Sequence, residues 1–227
     1  MIQIANQPVL QLSQLRKEYR EPAAVIQVLR GVDVEVRRGE IVVLMGPSGS
    51  GKTTMLQIAG CMRRPTSGQV VLAGEDVSTA DEARRLEARR QHLGFVFQNF
   101  QLVDALNAYQ NVTLGLRLKR RPIDRKDILS MLDTLGLGSK VHKRPGQLSG
   151  GEKQRIAIAR GLIGRPDVLL ADEPTSQLDS NSTETVSDLL REAARRLNAA
   201  VLLATHDPRL TRIADRTLVL KEGKIDE

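Results

Sequence analysis

The apolar positions follow two rhythms along the chain. Short unbroken β-rich runs at residues 32–36, 41–45 and 69–72 are divided by Gly31, Arg38-Gly39 and Thr66-Ser-Gly68, which are turn signals. They predict strands, with one helix starting near Gly51 between them. From about Ala80 to Arg160 the spacing moves toward 3.6, through Leu86 and Leu93, then Leu114, Leu116 and Leu118, then Ile128, Leu129, Leu132 and Leu135. This predicts a helical subdomain with Phe95-Val-Phe97 as a strand beside it. From Val168 on, apolar runs at 168–171, 201–204 and 217–220 alternate with a helix over 182–197. Strands that are apolar throughout imply a parallel sheet covered on both faces.

Length and composition narrow the class. The chain has 227 residues, 41% hydrophobic and 27% charged, enough to bury a core as one domain. Its longest apolar runs are far short of the ~20 residues that span a bilayer. Residues 1–15 carry Gln and Asn where a secretory signal needs a basic stretch followed by an apolar one, so the expected compartment is the cytoplasm. Cys61 stands alone, which excludes an intrachain disulfide and any multi-thiolate metal site.

The net charge of +7 raises the question of nucleic acid or an acidic lipid surface. There is no Trp, and Phe95, Phe97 and Phe100 cluster, so few aromatics remain to stack bases; no nucleic acid is expected as a partner. The basic residues around Asp81 to Arg90 interleave with acids at helical spacing and read as a solvated helix face. Lys119-Arg-Arg121 and the stretch from Lys140 to Arg144 are denser in positive charge.

The chemistry begins at Gly46-Pro47-Ser48-Gly49-Ser50-Gly51-Lys52-Thr53-Thr54, which follows the apolar run 41–45 and opens a helix. That context makes it a phosphate loop: glycines let backbone N–H groups point inward, and the helix N-terminus adds its positive end. Lys52 reaches the β and γ phosphates and the Thr53 hydroxyl can ligate a metal. A second acid must hold magnesium, and the run 168–171 delivers Asp172 at the end of its strand. Glu173 follows it, where a carboxylate can orient and deprotonate an attacking water. Upstream, Ser149 and Glu152 have the spacing of a capping box, with Gly150 and Gly151 between them, so a helix begins here with N–H groups that attract an anion.

Leu148-Ser-Gly-Gly-Glu-Lys-Gln154, with the two motifs above, resembles the signature of ABC-type ATPases, and Glu152 stands where much of that family has Gln. The resemblance runs from about Leu10 to Lys224. It implies an α/β P-loop NTPase fold of ABC type, with a mixed core sheet, an N-terminal antiparallel β portion and a helical subdomain. One domain is expected, with residues 1–90 and 161–227 as the nucleotide-binding core and about 91–160 as the helical part. Gln98 matches the glutamine loop that contacts metal and water, His206 the switch histidine at the γ phosphate, and Tyr19 the aromatic stacked on adenine. Ser176-Gln-Leu-Asp179 resembles the loop crossing to the partner subunit, with Asp179 in it and Gln177 where Ala is common.

The expectation is an ATP-hydrolysing subunit that takes ATP and Mg2+. Two copies form a homodimer in the ATP state, the Lys52 loop of one facing Leu148, Ser149, Gly150, Gly151 and Glu152 of the other. Glu173, His206 and Gln98 are the expected catalytic residues, and Thr53, Gln98 and Asp172 the metal ligands. Separate transmembrane permease subunits are the expected partners, with this chain peripheral on the cytoplasmic side of the inner membrane. The resemblance falls nearest the lipoprotein-release, macrolide-export and cell-division branch, and residues 98–112 look nearest to glycolipid-exporter cassettes. Two rivals stay open: a soluble ABC-type ATPase acting on nucleic acid or ribosomes, and a membrane-bound regulator that moves no solute.

Overall fold

The computed structural model describes residues 7–22 and 24–226. The reading of residues 1–15 therefore lies partly, over residues 1–6, outside the described residues. In chain order the strands are β1 (Leu10–Glu21), β2 (Ala24–Val36), β3 (Ile41–Met45), β4 (Ser67–Leu72), β5 (Glu75–Asp76), β6 (Leu93–Val96), β7 (Val168–Asp172), β8 (Ala200–Ala204), β9 (Arg216–Lys221) and β10 (Lys224–Asp226). The helices are α1 (Lys52–Ala59), α2 (Glu82–His92), α3 (Ala108–Leu118), α4 (Arg125–Thr134), α5 (Gly150–Leu162) and α6 (Ser180–Leu197).

Two sheets form. An antiparallel sheet has the order β2-β1-β4-β5, and a mixed sheet the order β10-β9-β3-β8-β7-β6, parallel except for its β10–β9 edge. Side chains alternate across the mixed sheet. Val42, Leu44, Leu170, Leu202 and Ala204 face α1 and the antiparallel sheet. Ile41, Val43, Leu169, Ala171, Val201 and Leu203 face α6. Both faces are dry, which is why these strands read as unbroken apolar runs instead of alternating ones.

A third cluster joins α3, α4 and α5 through Val112, Leu116, Ile128, Leu132, Ile156 and Ala159. Ile158 and Leu162, on another side of α5, pack against the mixed sheet, so this helix ties the helical part to the sheet. Glycines set the distance. A Cβ on Gly94 of β6 would collide with the Gly161 carbonyl, and one on Gly115 of α3 with the Arg160 carbonyl.

Two expectations are corrected. Leu93 opens β6 and belongs to the sheet instead of the helical pattern; it pairs with Val168, and Gly94 beside it lets the strand lie close against α5. Leu118 is 63% exposed, because Val112 and Leu116 define the buried stripe of α3 and a residue two positions further points away from it. The interleaved charges of α2 pair at the expected spacing in Glu82 with Arg85 and Glu87 with Arg90, but the face is not simply solvated: Arg85 is buried, and Glu82 also reaches Arg89 seven positions on.

Candidate functional site

The parallel strands β3, β6, β7 and β8 point the same way, so their C-terminal ends open on one edge of the sheet, where open α/β sheets place ligands. Gly46, Gln98, Glu173 and His206 all lie just beyond those ends.

Between β3 and α1 the loop turns through three glycines with positive φ, 153° at Gly46, 80° at Gly49 and 107° at Gly51. At Gly46 a Cβ would run into the Leu220 carbonyl, and at Gly51 it would press at 3.0 Å on the Val28 carbonyl and the Leu29 side chain. Both conformation and space therefore require glycine. Among the described residues no side chain caps α1, and its first intrahelical bond is Met55 N–H to the Gly51 carbonyl at 2.9 Å. The N–H groups of Lys52, Thr53 and Thr54 precede that bond and suit an anion. Pro47 and Ser48 are exposed, whereas the buried Ser50 Oγ has no hydrogen-bond partner among the described residues. Lys52 is only 7% exposed and donates from Nζ to the Gly46 and Pro47 carbonyls at 2.7 and 3.1 Å, so its ammonium spans the mouth of the loop.

Across from the loop, Thr53 Oγ1 donates to Asp172 Oδ1 at 3.2 Å. Burial pushes the Asp172 carboxyl above its usual range, with the Glu173 charge adding to the shift and the Thr53 bond and Lys52 opposing it. A half-buried carboxylate held up in this way favours a cation beside it. Two adjacent hard oxygens next to a phosphate cradle suit Mg2+, which is usually held by one or two side chains together with phosphates. The residues present fit ATP with Mg2+.

Glu173 adopts φ 47°, an uncommon conformation for a side-chain-bearing residue. Its carboxylate lies 3.8 Å from Lys52 Nζ through Oε1. Oε2 lies 2.9 Å from His206 Nδ1 and accepts from Thr205 Oγ1 and the His206 N–H, both at 3.3 Å. Thr205, fully buried, is a site residue that sequence reasoning missed. Gln98 sits on an exposed turn beside the end of β7, and among the described residues no hydrogen bond joins its side chain to Thr53 or Asp172.

Ser149 caps α5 as expected. Its Oγ accepts from the Glu152 N–H at 3.2 Å and its own N–H donates to Glu152 Oε2 at 2.8 Å. That bond, supported by Lys140 at 3.4 Å, holds the Glu152 carboxyl below its ordinary range. Leu148 is buried in the helical cluster, anchoring this end. Gly151 lies against Ser182, and Gly150 against the Gln177 carbonyl, so the signature neighbours the loop before α6. No hydrogen bond among the described residues links it to the phosphate loop of its own chain. Asp179 caps α6 by accepting from Ser182 N–H at 2.9 Å. Tyr19 lies on β1 opposite Ile26, its ring facing Lys17 Nζ at 5.2 Å and the Arg63 guanidinium at 5.7 Å.

Residues 29–176 match the ABC transporter family. The chain is 44% identical to the lipoprotein-releasing system ATP-binding protein LolD of Hydrogenovibrio crunogenus over 95% of its length and 94% of that protein. It is 43% identical to LolD of Hyphomonas neptunium over 96% of its length and 97% of that protein. A dimeric post-hydrolysis structure of the ATP-binding cassette MJ0796 bound to ADP and Pi superimposes with a TM-score of 0.89 at 38% identity, covering 96% of this chain and 97% of that one. No helix among the described residues is long and apolar enough to cross a membrane. The chain thus belongs to the ABC transporter family, as an ATP-hydrolysing subunit that takes ATP and Mg2+ and works with separate transmembrane partners.

Proposed function

We propose that two copies of this chain close over two ATP molecules and that the cycle drives membrane subunits in the release of lipoproteins from the inner membrane, with this subunit on its cytoplasmic side. The observation that carries the cargo class is the 44% identity to a lipoprotein-releasing ATP-binding protein across 95% of the chain.

Within this reading Lys52 and the first N–H groups of α1 hold the β and γ phosphates. Thr53, Asp172 and Gln98 would hold Mg2+, which when bound would neutralise charge on the phosphates. Glu173 orients the attacking water and accepts its proton. The imidazole of His206 and the hydroxyl of Thr205 fix that carboxylate from the end of β8. Tyr19 stacks on adenine. Ser149 and the N–H groups of Gly150 and Gly151 meet the γ phosphate held by the other copy, and Asp179 lies at the crossing loop.

The docking surface for the membrane subunits is the stretch from Phe100 to Tyr109 with the helical face beside it. There a cavity of about 260 Å³ is lined by Asn107, Tyr109, Thr113, Arg117, Arg125 and His142. The test is co-purification in detergent with the membrane subunits, reconstitution into liposomes carrying a fluorescent lipoprotein, and measurement of its ATP-dependent release. Release that needs ATP supports the reading. ATP hydrolysis without release overturns the cargo class, and co-purifying RNA or DNA in place of membrane subunits overturns the transporter role.

A further inference from the structure

The turn after β6 is held from two sides. Phe100 and Gln101 are consecutive residues with positive φ, 57° and 52°, a conformation that side-chain-bearing residues rarely take in succession. Arg160, near the C-terminal end of α5, donates to their carbonyls at 2.9 and 2.5 Å and so stabilises the turn. On the other side, Gln177 Nε2 donates to Asn99 Oδ1 at 2.8 Å. Gln177 belongs to the loop between β7 and α6, whose start is fixed to Glu173 because the Ser176 N–H and Oγ both donate to the Glu173 carbonyl, at 3.3 and 3.1 Å. Its own carbonyl, with the Phe100 ring, lies against Gly150 at the start of α5.

Gln177 therefore sits where three functional segments meet: the turn carrying Gln98, the loop leading from Glu173 to Asp179, and the signature helix. An alanine at this position, the residue common in the family, has no side-chain amide to reach Asn99. We propose that Gln177 is a positioning residue for ATP hydrolysis, tying Asn99 and hence Gln98 to the loop that follows Glu173. The proposal rests on the reading of Gln98 as a residue of the reaction. Through this link the two groups share one frame, so the turn and the loop move together when the subunits close.

Steady-state ATPase of the chain assembled with its membrane subunits tests it, in a double-mutant cycle of Gln177→Ala, Asn99→Ala and both together. Each single variant is expected to lower kcat about 5-fold, as for loss of one neutral hydrogen bond, with KM for ATP within about twofold. The double variant is expected to be no worse than either single one, and the pair Gln177→Lys with Asn99→Asp to restore kcat by a charged link in place of the neutral one. Both positions are exposed, and thermal midpoints matching wild type would exclude a stability effect. Unchanged kcat in Gln177→Ala, or multiplicative losses near 25-fold in the double variant, would overturn the link. Gln98→Ala separates the two levels. If it is impaired while Gln177→Ala is not, only the link fails; if Gln98→Ala turns over like wild type, the role of Gln98 fails and takes the link with it.

Discussion

The carboxylate of Glu173 rests 2.9 Å from Nδ1 of His206, and the same oxygen accepts from the His206 backbone and the Thr205 hydroxyl. The contact spans two strands: Glu173 follows β7, His206 follows β8, and the Glu173 N–H is fixed to the Ala204 carbonyl at 2.8 Å. As the general base we propose, Glu173 must be oriented before its basicity matters. Here the orientation comes from the neighbouring strand, at the cost of a left-handed backbone.

Replacing Glu173 by Gln should preserve that geometry while removing the proton acceptor. ATP affinity is expected to stay within about twofold, whereas kcat falls by about 10²–10⁴. Single-turnover hydrolysis measured beside nucleotide binding checks this. A variant that hydrolyses at the wild-type rate shows that the base is elsewhere.

Lys52→Ala removes an ammonium placed at the mouth of the phosphate loop. Loss of a charged hydrogen-bonding partner to phosphate should weaken ATP binding by about 10–100-fold. Titration with a fluorescent ATP analogue reads the effect; equal affinity would remove Lys52 from the site.

The composite arrangement is tested by mixing two broken subunits. Lys52→Ala damages the loop but spares the Ser149 end, and Ser149→Arg does the reverse. In a mixed dimer both lesions fall on one composite site and the other is intact, so activity should rise above either homodimer, up to half of normal if the sites act independently. Verified heterodimers with no activity above the homodimers would reject independent sites in trans.

A structural charge gives a pH signature far from the nucleotide. Asp167 lies 2.6 Å from both His92 Nδ1 and Arg38 Nη2, and the His92 hydrogen bond, followed by Arg38, holds its carboxyl below the ordinary 3.8. Because the folded value is the lower one, this stabilisation is present above about pH 4 and is lost as pH falls through the folded value. Asp167→Asn should therefore cost about 1–2 kcal/mol at pH 7, a few degrees in Tm, and the difference from wild type should close in strong acid. Thermal unfolding at pH 7 and in acid well below pH 3.8 checks it; a gap that persists there would assign the effect to packing.

What the sequence disclosed was local chemistry. The glycines of the phosphate loop, Asp172 with Glu173, and the Ser149–Glu152 cap each lie within a few residues and leave spacing marks that need no fold to read. Hidden were the contacts made by topology. Asn99 and Gln177 are 78 residues apart, and Arg160 reaches back 59 residues to Gln101. Thr205 carries no motif and acquires its role only because β7 and β8 are neighbours. In α3, leucines two apart suggested one face, but a helix cannot turn alternate residues the same way.

The glycine contacts of α5 make that helix a lever. Near its C-terminal end it is pinned between β6, through Gly94 and Gly161, and α3, through Gly115 and the Arg160 carbonyl, with no room for slack. Its other end carries Ser149, about 18 Å away at 1.5 Å per residue. A tilt of about 10° about the pinned end would carry the signature roughly 3 Å, about one hydrogen-bond length, which is enough to lift Gly151 off Ser182 and Gly150 off the Gln177 carbonyl. Small rotations of the helical part would thus be converted at the far tip into an on-or-off contact.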